Sequence, residues 1–383
     1  MRVGIMGGTF DPIHLGHTGI AEAVRSALTL DGLWFLPAGD PPHKRCVASA
    51  RDRLDMALCA AEAISGAQVS DIEIRRKGTT YTVDTLKALS EAHPHCEWVY
   101  IIGADTLRIL SQWKDIREVA KRCIFAVVHR PGVDATQIEL ALRKLERECG
   151  VKAELVEAQG PDISSTEIRS RIARGQNIDR LISPRVAEMI RQRGLYLCAM
   201  GWEEIDETLR DTLKPDRYVH TLGVAQTAKA LAPVYGIDPM RAYLAGLLHD
   251  CAKSMDKEEM KRRVANEVPD TDEAELSAPQ VLHAPAGMLL ARERYGVQDA
   301  EILSAIRKHT LGGANMSPLE ALIYVADFIE PNRKPFEGLE RVRSLAERDI
   351  ALAARECARL TSEYVRKSGG KPHDKTIQLI NEC

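Results

Sequence analysis

The distribution of apolar residues divides the chain into two parts of different texture. Up to about Leu197, short apolar runs alternate with longer amphipathic stretches. The runs predict β-strands at residues 2–6, 32–37, 69–75, 98–103, 123–129 and 153–157. Amphipathic periodicity between them predicts helices that include residues 51–64, 83–93, 116–121 and 137–149. This alternation predicts a Rossmann-like α/β fold, a doubly wound parallel sheet whose ligands bind beyond the carboxyl ends of the strands.

After Gly201 the strand-like runs give way to amphipathic helical windows. These windows lie at residues 203–213, 221–232, 241–249, 257–266, 284–295, 300–309, 319–329 and 350–367. The last predicted helix of the first part, residues 184–193, ends at Gly194, and no low-complexity linker follows it. The sequence therefore predicts an α/β domain over residues 1–198 and an all-α helical bundle over residues 201–383.

Composition narrows the class of protein. The 383 residues carry 52 Lys and Arg against 55 Asp and Glu, a net charge of −3, which argues against a dedicated nucleic-acid binder. The nine cysteines are scattered without a CxxC pair, as is typical of reduced thiols in a cytoplasmic protein. No apolar run reaches the roughly 18 residues of a membrane span. We expect a cytoplasmic protein that acts on small-molecule substrates and has no membrane partner. A homo-oligomer is compatible with the sequence.

The segment GGTFDPIHLGH, residues 7–17, is the most informative part of the first domain. Its glycine-rich turn lies between the first strand and a predicted helix start near Leu15, an arrangement that binds phosphate through backbone N–H groups. It is neither a Walker A loop nor a GxGxxG fingerprint. His14 and His17 are three residues apart at the helix start, so both imidazoles can reach one phosphate. Metal ligation or chance surface histidines are the alternative interpretations.

This segment resembles the HxGH signature of the nucleotidyltransferase superfamily. Further motifs in family order narrow the resemblance to the nicotinate-mononucleotide adenylyltransferases, over Met1 to about Leu197. These motifs are FLPAGDPPHK, DIEIRRKGTTYTVDTL, YIIGADTLRILSQWKD, VVHRPG and ISSTEIRSRI. The resemblance implies transfer of AMP from ATP, with Mg²⁺, to nicotinate mononucleotide. Nicotinamide mononucleotide or phosphopantetheine as the acceptor is the alternative.

The resemblance also implies roles for individual residues, with His14 and His17 as the catalytic pair on the triphosphate side. The hydroxyls of Ser164, Ser165 and Thr166 lie at a predicted helix start and, like the guanidinium of Arg169, can bind phosphate. An ordinary helix cap is the alternative role for these hydroxyls. The implied ATP- and phosphate-binding residues are Gly7, Gly8, Thr9, Phe10, Asp105, Ser164, Ser165, Thr166 and Arg169. The implied nicotinate mononucleotide-binding residues are Lys44, Thr82 and Trp113, and core packing is the alternative for Trp113.

The helical part carries histidines and aspartates in the order H, HD, H, H, D. Each lies in or at the end of an apolar helical window, where an unpaired charge is costly. Imidazoles and carboxylates brought together from several helices are typical of a transition-metal site. The residues are His220, His249, Asp250, His283, His309 and Asp327. Satisfied core histidines are the alternative, and a second HD pair, His373 and Asp374, is interpreted as incidental.

The segments LLHDCAK, AIRKHTLGG and YVADFIEPNR resemble the HD-domain phosphohydrolases, in particular the symmetrical dinucleoside-tetraphosphate hydrolases. The resemblance implies that the six residues bind two transition-metal ions, iron in the family, and that Asp250 bridges the two metals in catalysis. It implies cleavage of diadenosine tetraphosphate into two ADP, with Lys253 and Arg333 as candidate phosphate ligands, for which solvated surface charges are the alternative. A regulatory nucleotide-binding module, or action on another nucleotide, is the alternative for the domain. Together the two halves predict a bifunctional enzyme.

Overall fold

The computed structural model describes residues 1–41, 46–76, 78–129, 135–158 and 160–381. The chain divides into two units. The first contains Met1–Ile172 and Asn177–Ile190, and the second contains Ala173–Gln176 and the chain from Arg191 onward. None of the described helices is both long and apolar enough to span a membrane.

A parallel sheet forms the centre of the first unit. Its six strands are arranged in the order β3-β2-β1-β4-β5-β6, so the strand order reverses between β1 and β4. The strands are β1 (Arg2–Gly8), β2 (Gly32–Pro37), β3 (Ala67–Val69), β4 (Glu97–Gly103), β5 (Cys123–His129) and β6 (Ala153–Glu157). This topology confirms the predicted doubly wound α/β fold, and it predicts a ligand site at the switch point beyond β1 and β4.

Helices connect these strands and bury the faces of the sheet. Ile5 and Phe125 of the sheet are fully buried, as are Leu86 and Val119 from the helices that pack on it. The helices are α1 (Leu15–Ala27), α2 (Ala50–Ala61), α3 (Ile72–Arg75), α4 (Thr82–Ala92), α5 (Leu107–Leu110), α6 (Ile116–Ala120), α7 (Ala135–Cys149), α8 (Ser165–Ala173) and α9 (Pro184–Arg193).

The predicted strand at residues 69–75 is wrong beyond Val69. The backbone N–H of Arg75 donates to the carbonyl of Asp71 at 2.9 Å, and its side-chain Nε binds the Asp71 carboxylate at 2.7 Å. These contacts close the helical turn of α3. The alternation of Ile72 and Ile74 with polar residues indicated a strand, but a run of four residues is too short for periodicity to separate a strand from one helical turn.

The second unit is helical throughout the residues that the structure describes, which confirms the predicted all-α class. Side chains such as Val224, Leu248, Ile306 and Leu322 are fully buried between the helices. The helices are α10 (Trp202–Thr212), α11 (Pro215–Leu231), α12 (Pro239–Leu248), α13 (Lys257–Glu267), α14 (Glu273–Leu276), α15 (His283–Glu293), α16 (Ala300–Lys308), α17 (Pro318–Ile329), α18 (Leu339–Ala346), α19 (Ile350–Lys367) and α20 (Asp374–Ile380).

Helices α11 and α12 cross with their backbones in direct contact at Gly246. A Cβ atom added to Gly246 would lie 2.8 Å from the Cα atom of Ala225 and 3.1 Å from its backbone N. Only glycine allows this separation, because the neighbouring atoms belong to the backbone and cannot rotate away. The crossing brings His220 on α11 close to His249 at the end of α12.

We expect the substitution Gly246→Ala to destabilise the helical unit by about 1–3 kcal/mol, since the added methyl group forces α11 and α12 apart. Urea denaturation followed by circular dichroism measures the change. Gly19→Ala is the matched control, because Gly19 also lies in a helix and a Cβ there would meet only the Cδ atom of Pro161, at 3.8 Å. An unfolding free energy equal to that of the wild type for Gly246→Ala would contradict the proposed contact.

Candidate functional site

A large cavity opens beyond the carboxyl ends of β1 and β4, at the switch point of the sheet. Its volume is about 1180 Å³. Eleven of the residues that the sequence implicates line this cavity, and they come from both the triphosphate and the acceptor sets. They are Gly7, Gly8, Thr9, His14, His17, Thr82, Asp105, Trp113, Ser164, Ser165 and Thr166. The cavity therefore brings residues of both sets together in one place.

His14 and His17 lie together at the N-terminus of α1. The backbone N–H of His14 donates to Nδ1 of His17 at 3.3 Å, and the centres of the two rings are 3.7 Å apart. Nδ1 of His14 is buried and has no hydrogen-bond partner among the described residues. Burial lowers the pKa of His14 to about 4, so this imidazole is neutral at pH 7. The pair offers ring nitrogens to an anion at a helix N-terminus, where the helix dipole favours negative charge.

The glycines around this pair are required by close packing. A Cβ atom on Gly7 would collide with the hydroxyl of Tyr100, and one on Gly16 would lie 2.9 Å from Nδ1 of His14. Gly7 thereby keeps the end of β1 open toward the cavity. Gly16 leaves room for the buried His14 ring.

The start of α8 combines a helix cap with contacts to the loop before α1. Ser164 Oγ accepts the backbone N–H of Glu167 at 3.1 Å, which is the capping role considered from the sequence. Ser165 Oγ donates to the carbonyl of Pro12 at 2.9 Å, and Arg169 Nη1 donates to the carbonyl of Asp11 at 2.6 Å. Arg169 therefore lies against the backbone of the loop, outside the described lining of the cavity.

Phe10 also lies outside that lining, although the sequence placed it in the phosphate-binding turn. It is almost fully buried, and its ring packs edge-on against the ring of His17 with 5.1 Å between the centres. Its contact with the cavity is thus made through His17.

The cavity is also lined by Thr82, at the start of α4, and by the half-buried Trp113. The Trp113 ring packs edge-on against Tyr100, with ring centres 6.0 Å apart, so it has a core contact as well as a place in the cavity wall. Asp105 lies on a short 3₁₀ helix, Ala104–Thr106, directly after β4. Lys44 lies outside the described residues.

Arg53 on α2 is a site residue that sequence reasoning missed. Its guanidinium is buried and donates to the carbonyls of Thr9 at 2.8 Å, Ala38 at 2.6 Å and Gly39 at 3.0 Å. These hydrogen bonds link the loop after β1 to the loop after β2. The sequence does indicate a role for Arg53, because it occupies the apolar face of an amphipathic helix, where a buried cation needs hydrogen-bond acceptors.

Glu73 on α3 is a second residue that sequence reasoning missed, and it also lines the cavity. Its carboxylate accepts a hydrogen bond from Thr85 Oγ1 at 2.9 Å. Burial raises the pKa of Glu73, although hydrogen bonds from Thr85 and Thr80 oppose the shift. The carboxylate joins α3 to α4, the helix that begins with Thr82.

In the second unit, all six predicted metal ligands converge. They form three overlapping groups, each with candidate ligand atoms within 4.8 Å of one another. They come from α11, the end of α12, the start of α15, the end of α16, and α17. The groups are His220 with His249 and Asp250, His249 with His309 and Asp327, and Asp250 with His283 and His309.

Asp250 lies at the centre of this cluster. Its Oδ1 atom is 3.1 Å from Nε2 of His283 and 3.6 Å from Nε2 of His309. Its Oδ2 atom is 3.6 Å from Nε2 of His249 and 4.0 Å from Nε2 of His220. Each carboxylate oxygen thus faces a different pair of imidazoles, which is the arrangement a bridging carboxylate needs.

The outer nitrogens of three histidines are held by acceptors behind the cluster. Nδ1 of His249 donates to the carbonyl of Gly246 at 2.6 Å, and Nδ1 of His309 donates to the carbonyl of Ile306 at 2.7 Å. Nδ1 of His220 is 3.2 Å from the buried carboxylate of Glu330. A carbonyl oxygen can only accept, so Nδ1 of His249 and of His309 carries the proton and each Nε2 is left with its lone pair for a metal. His220 lies between two carboxylates, because its Nε2 is 3.0 Å from Asp327 Oδ1.

The protonation states also suit a metal. Burial lowers the pKa of His249 to about 4. Burial alone would raise the pKa of Asp250, but the surrounding imidazoles outweigh this effect and hold the pKa well below its usual range. Nε2 of His249 and Oδ1 of Asp250 are buried without a hydrogen-bond partner among the described residues. Neutral imidazoles and ionised carboxylates are the forms that bind metal, so the cluster fits a divalent cation.

Three cationic side chains surround the ligands. Lys253 Nζ is 3.7 Å from Asp250 Oδ1, and Arg333 Nη2 is 2.6 Å from Asp327 Oδ1. Arg217, which sequence reasoning missed, donates to Asp250 Oδ2 at 2.8 Å. The sequence could have indicated Arg217, because it lies on α11 three residues before His220 and therefore on the same helix face.

The second HD pair has a different role. His373 Nε2 lies 3.2 Å from Asp272 Oδ1, and its Nδ1 accepts the backbone N–H of Lys375 at the start of α20. It is therefore a helix cap, away from the described metal-ligand groups.

Comparison with known proteins assigns each half to a family. The profile of the cytidylyltransferase-like family matches residues 5–171, and the profile of the HD domain matches residues 217–332. A protein from Mycoplasma pneumoniae, named probable nicotinate-nucleotide adenylyltransferase/Ap4A hydrolase, is 30% identical over 374 residues, or 94% of this chain and 98% of the relative. Both resemblances inferred from the motifs are confirmed.

Other relatives match one half each. A protein from Synechococcus sp. (strain JA-3-3Ab), named probable nicotinate-nucleotide adenylyltransferase, is 40% identical over 198 residues, or 51% of this chain and 95% of the relative. The crystal structure of an HD superfamily hydrolase from Clostridium acetobutylicum, described as involved in NAD metabolism, is 37% identical. The aligned region covers 48% of this chain and 96% of the chain in that crystal structure, and the TM-score is 0.46.

The buried His14 makes the first unit sensitive to acid. The pKa of His14 is about 4 in the folded chain and about 6.5 in an unfolded one. Below pH 6.5 the unfolded state therefore binds a proton that the folded state excludes, and stability falls as the pH drops from 6.5 to 4. We expect His14→Asn to reduce this pH dependence in denaturation measured across that range. His95→Asn, at an exposed site, is the control, and equal slopes for the wild type and His14→Asn would refute the assignment.

We expect Glu330→Gln to weaken metal binding by about 10–100-fold, since the neutral amide no longer accepts the His220 Nδ1 proton as a carboxylate does. Competition with a chromogenic chelator for Mn²⁺ measures this affinity. Glu347→Gln, on the exposed end of α18, is the matched control. Wild-type affinity in a folded Glu330→Gln protein would show that this carboxylate does not support His220 as a ligand.

Proposed function

The chain belongs to the family of the nicotinate-nucleotide adenylyltransferase/Ap4A hydrolases, and on that premise we propose that it carries both activities, one in each half. The proposed transferase domain is residues 1–198 and the proposed hydrolase domain is residues 201–383. The convergence of all six imidazole and carboxylate ligands is the observation that best supports an active hydrolase beside the transferase. A binding module without catalysis has no need of a complete ligand set.

In the transferase reaction, a phosphate oxygen of nicotinate mononucleotide attacks the α-phosphorus of ATP. The bond to the bridging oxygen of pyrophosphate breaks, and nicotinate adenine dinucleotide and pyrophosphate leave. The attacking phosphate is already an anion, so no protein nucleophile is needed. The work of the chain is to align the two substrates and to stabilise the charge that develops between them.

His14 and His17 are the proposed catalytic residues of this step. Their place at the N-terminus of α1, with a buried nitrogen that lacks a described partner, supports contact with the α-phosphate or the departing pyrophosphate. Gly7, Gly8, Thr9, Ser164, Ser165 and Thr166 line the cavity around them and are proposed as the contacts of the triphosphate. Phe10 and Arg169 act here by packing on His17 and by holding the loop before α1.

The acceptor is held on the opposite wall. Thr82 and Trp113 line the same cavity as the histidine pair, which supports a place for the pyridine ring and its carboxylate. Lys44 is proposed from the sequence alone as a ligand of the mononucleotide phosphate, and Asp105 as a partner of the adenosine ribose or of Mg²⁺ bound with ATP. Arg53 joins the loop after β1, which carries Thr9, to the loop after β2.

The hydrolase is proposed to cleave diadenosine tetraphosphate symmetrically into two ADP. Two divalent cations of the iron type would neutralise the phosphate chain and activate water. His220, His249, Asp250, His283, His309 and Asp327 would hold them. Asp250 would bridge the pair, because each of its oxygens faces its own two imidazoles. Lys253 and Arg333, together with Arg217, are positioned beside the ligands to bind phosphate oxygens.

The proposed substrates fit the chain as a whole. ATP, nicotinate mononucleotide and dinucleoside tetraphosphates are all polyanions, yet the chain has a net charge of −3. Local features hold their phosphates instead. Such substrates, and the scattered free thiols, support a cytoplasmic location.

Two substitutions separate the activities. We expect His17→Ala to abolish formation of nicotinate adenine dinucleotide and to leave ADP release from diadenosine tetraphosphate unchanged. We expect Asp250→Ala to abolish ADP release and lower bound metal while dinucleotide formation persists. Both are measured on the full chain by chromatography of the products, with metal content by mass spectrometry.

Asp374→Ala is the matched control for Asp250→Ala, because it changes the aspartate of the second HD pair. It should leave both activities and the metal content as in the wild type. Loss of both activities in a folded His17→Ala protein would contradict separate sites, and full metal retention in Asp250→Ala would exclude the bridging role.

A further inference from the structure

A second cavity in the helical unit opens beside the metal-ligand cluster. It has a volume of about 940 Å³, and His220 forms part of its wall. The rest of the wall contains two kinds of side chain that matter for binding. They are the cations Lys214, Arg217, Arg333 and Lys334, and the aromatic rings of Phe328 and Phe336.

Four cations line this cavity against two carboxylates, Asp216 and Glu330, so the wall has an excess of positive charge. Arg217 and Arg333 are already paired with the ligand carboxylates Asp250 and Asp327. Lys214 and Lys334 are exposed and have no carboxylate partner within the part of the chain that the structure describes. A ligand that extends from the cluster along this wall therefore meets two unneutralised ammonium groups, which suits a chain of phosphates.

The aromatic rings are unusual within this chain. It contains five phenylalanines, of which Phe10, Phe35 and Phe125 are almost fully buried in the first unit. The other two, Phe328 and Phe336, line the second cavity. Phe336 is 42% exposed, and its ring rests edge-on against Phe328 with centres 5.2 Å apart and planes at 89°.

A contact of this geometry covers at most one face of the Phe336 ring, and the 42% exposure of this residue leaves ring surface open to the cavity. A flat heterocycle can stack on such a surface without hydrogen bonds to its edges. Lys334 lines the same cavity as Phe336, so its ammonium group can hold a phosphate attached to a base stacked there. Cations and an exposed aromatic on one wall, beside a metal cluster, together match a nucleoside polyphosphate.

We propose that Phe336 is the stacking platform for one nucleobase of the hydrolase substrate, and that Lys334 and Lys214 bind the phosphates between that base and the metal cluster. This inference rests on the proposed hydrolase function. Stacking recognises the face of a ring and not its substituents, so adenine and guanine nucleotides should bind this platform with similar affinity.

The test compares a ligand that has a base with one that lacks it. We expect Phe336→Ala, in the metal-loaded full chain, to weaken ADP binding about tenfold in calorimetry and to raise KM for diadenosine tetraphosphate more than it lowers kcat. Binding of inorganic pyrophosphate should stay as in the wild type. Lys334→Ala should weaken ADP and pyrophosphate alike, and Phe336→Tyr should retain ADP binding.

Tyr364→Ala is the matched control, because Tyr364 is a 72% exposed aromatic on α19 outside the cavity lining. Wild-type ADP affinity in Phe336→Ala, or an equal loss for ADP and pyrophosphate, would overturn the platform. If the wild type releases no ADP from the tetraphosphate, the proposed hydrolase function fails, and the two calorimetric titrations still decide whether Phe336 binds a base.

Discussion

The ligand cluster of the helical unit is built around one buried carboxylate. Asp250 is 2% exposed and lies among four imidazoles with the cations Arg217 and Lys253 beside it, so its negative charge is removed from water but compensated by nearby cations. A buried charge of this kind is tolerated only where several partners converge, and here those partners come from the ends or inner faces of different helices. The need to surround Asp250 explains why α12 and α16 both end at a histidine that turns back onto its own last turn.

The two units offer different physical means of binding phosphate. In the first, a helix N-terminus, tight glycine packing and a neutral buried histidine present polar hydrogens and ring nitrogens to the cavity. In the second, carboxylates and imidazoles form a cluster that fits a divalent cation, and cationic side chains surround this cluster. Neither arrangement needs a basic chain, which is why a chain with slightly more acidic than basic residues can act on polyanions.

Much of the fold was predictable because the apolar periodicity was long and regular. The convergence of the six histidines and aspartates in one cluster was predictable because their order along the chain is specific. The turn at Ile72–Arg75 was not, since four alternating residues do not separate a strand from a helix. The roles of Arg53, Arg217 and Glu330 were missed because each contacts a partner distant in sequence, such as Glu330 with His220, 110 residues away. These contacts form only once the elements are packed.

Gly246 joins two requirements in one residue. Its Cα touches the backbone of α11, and its carbonyl accepts the Nδ1 proton of His249. The distance between two helices and the tautomer of an imidazole in the ligand cluster are therefore both set at this one residue. The closest approach of two backbones does not depend on side-chain size. The contact at Gly246 therefore fixes the separation of His220 and His249. Repacking of the surrounding core can change the stability of this unit without changing that separation.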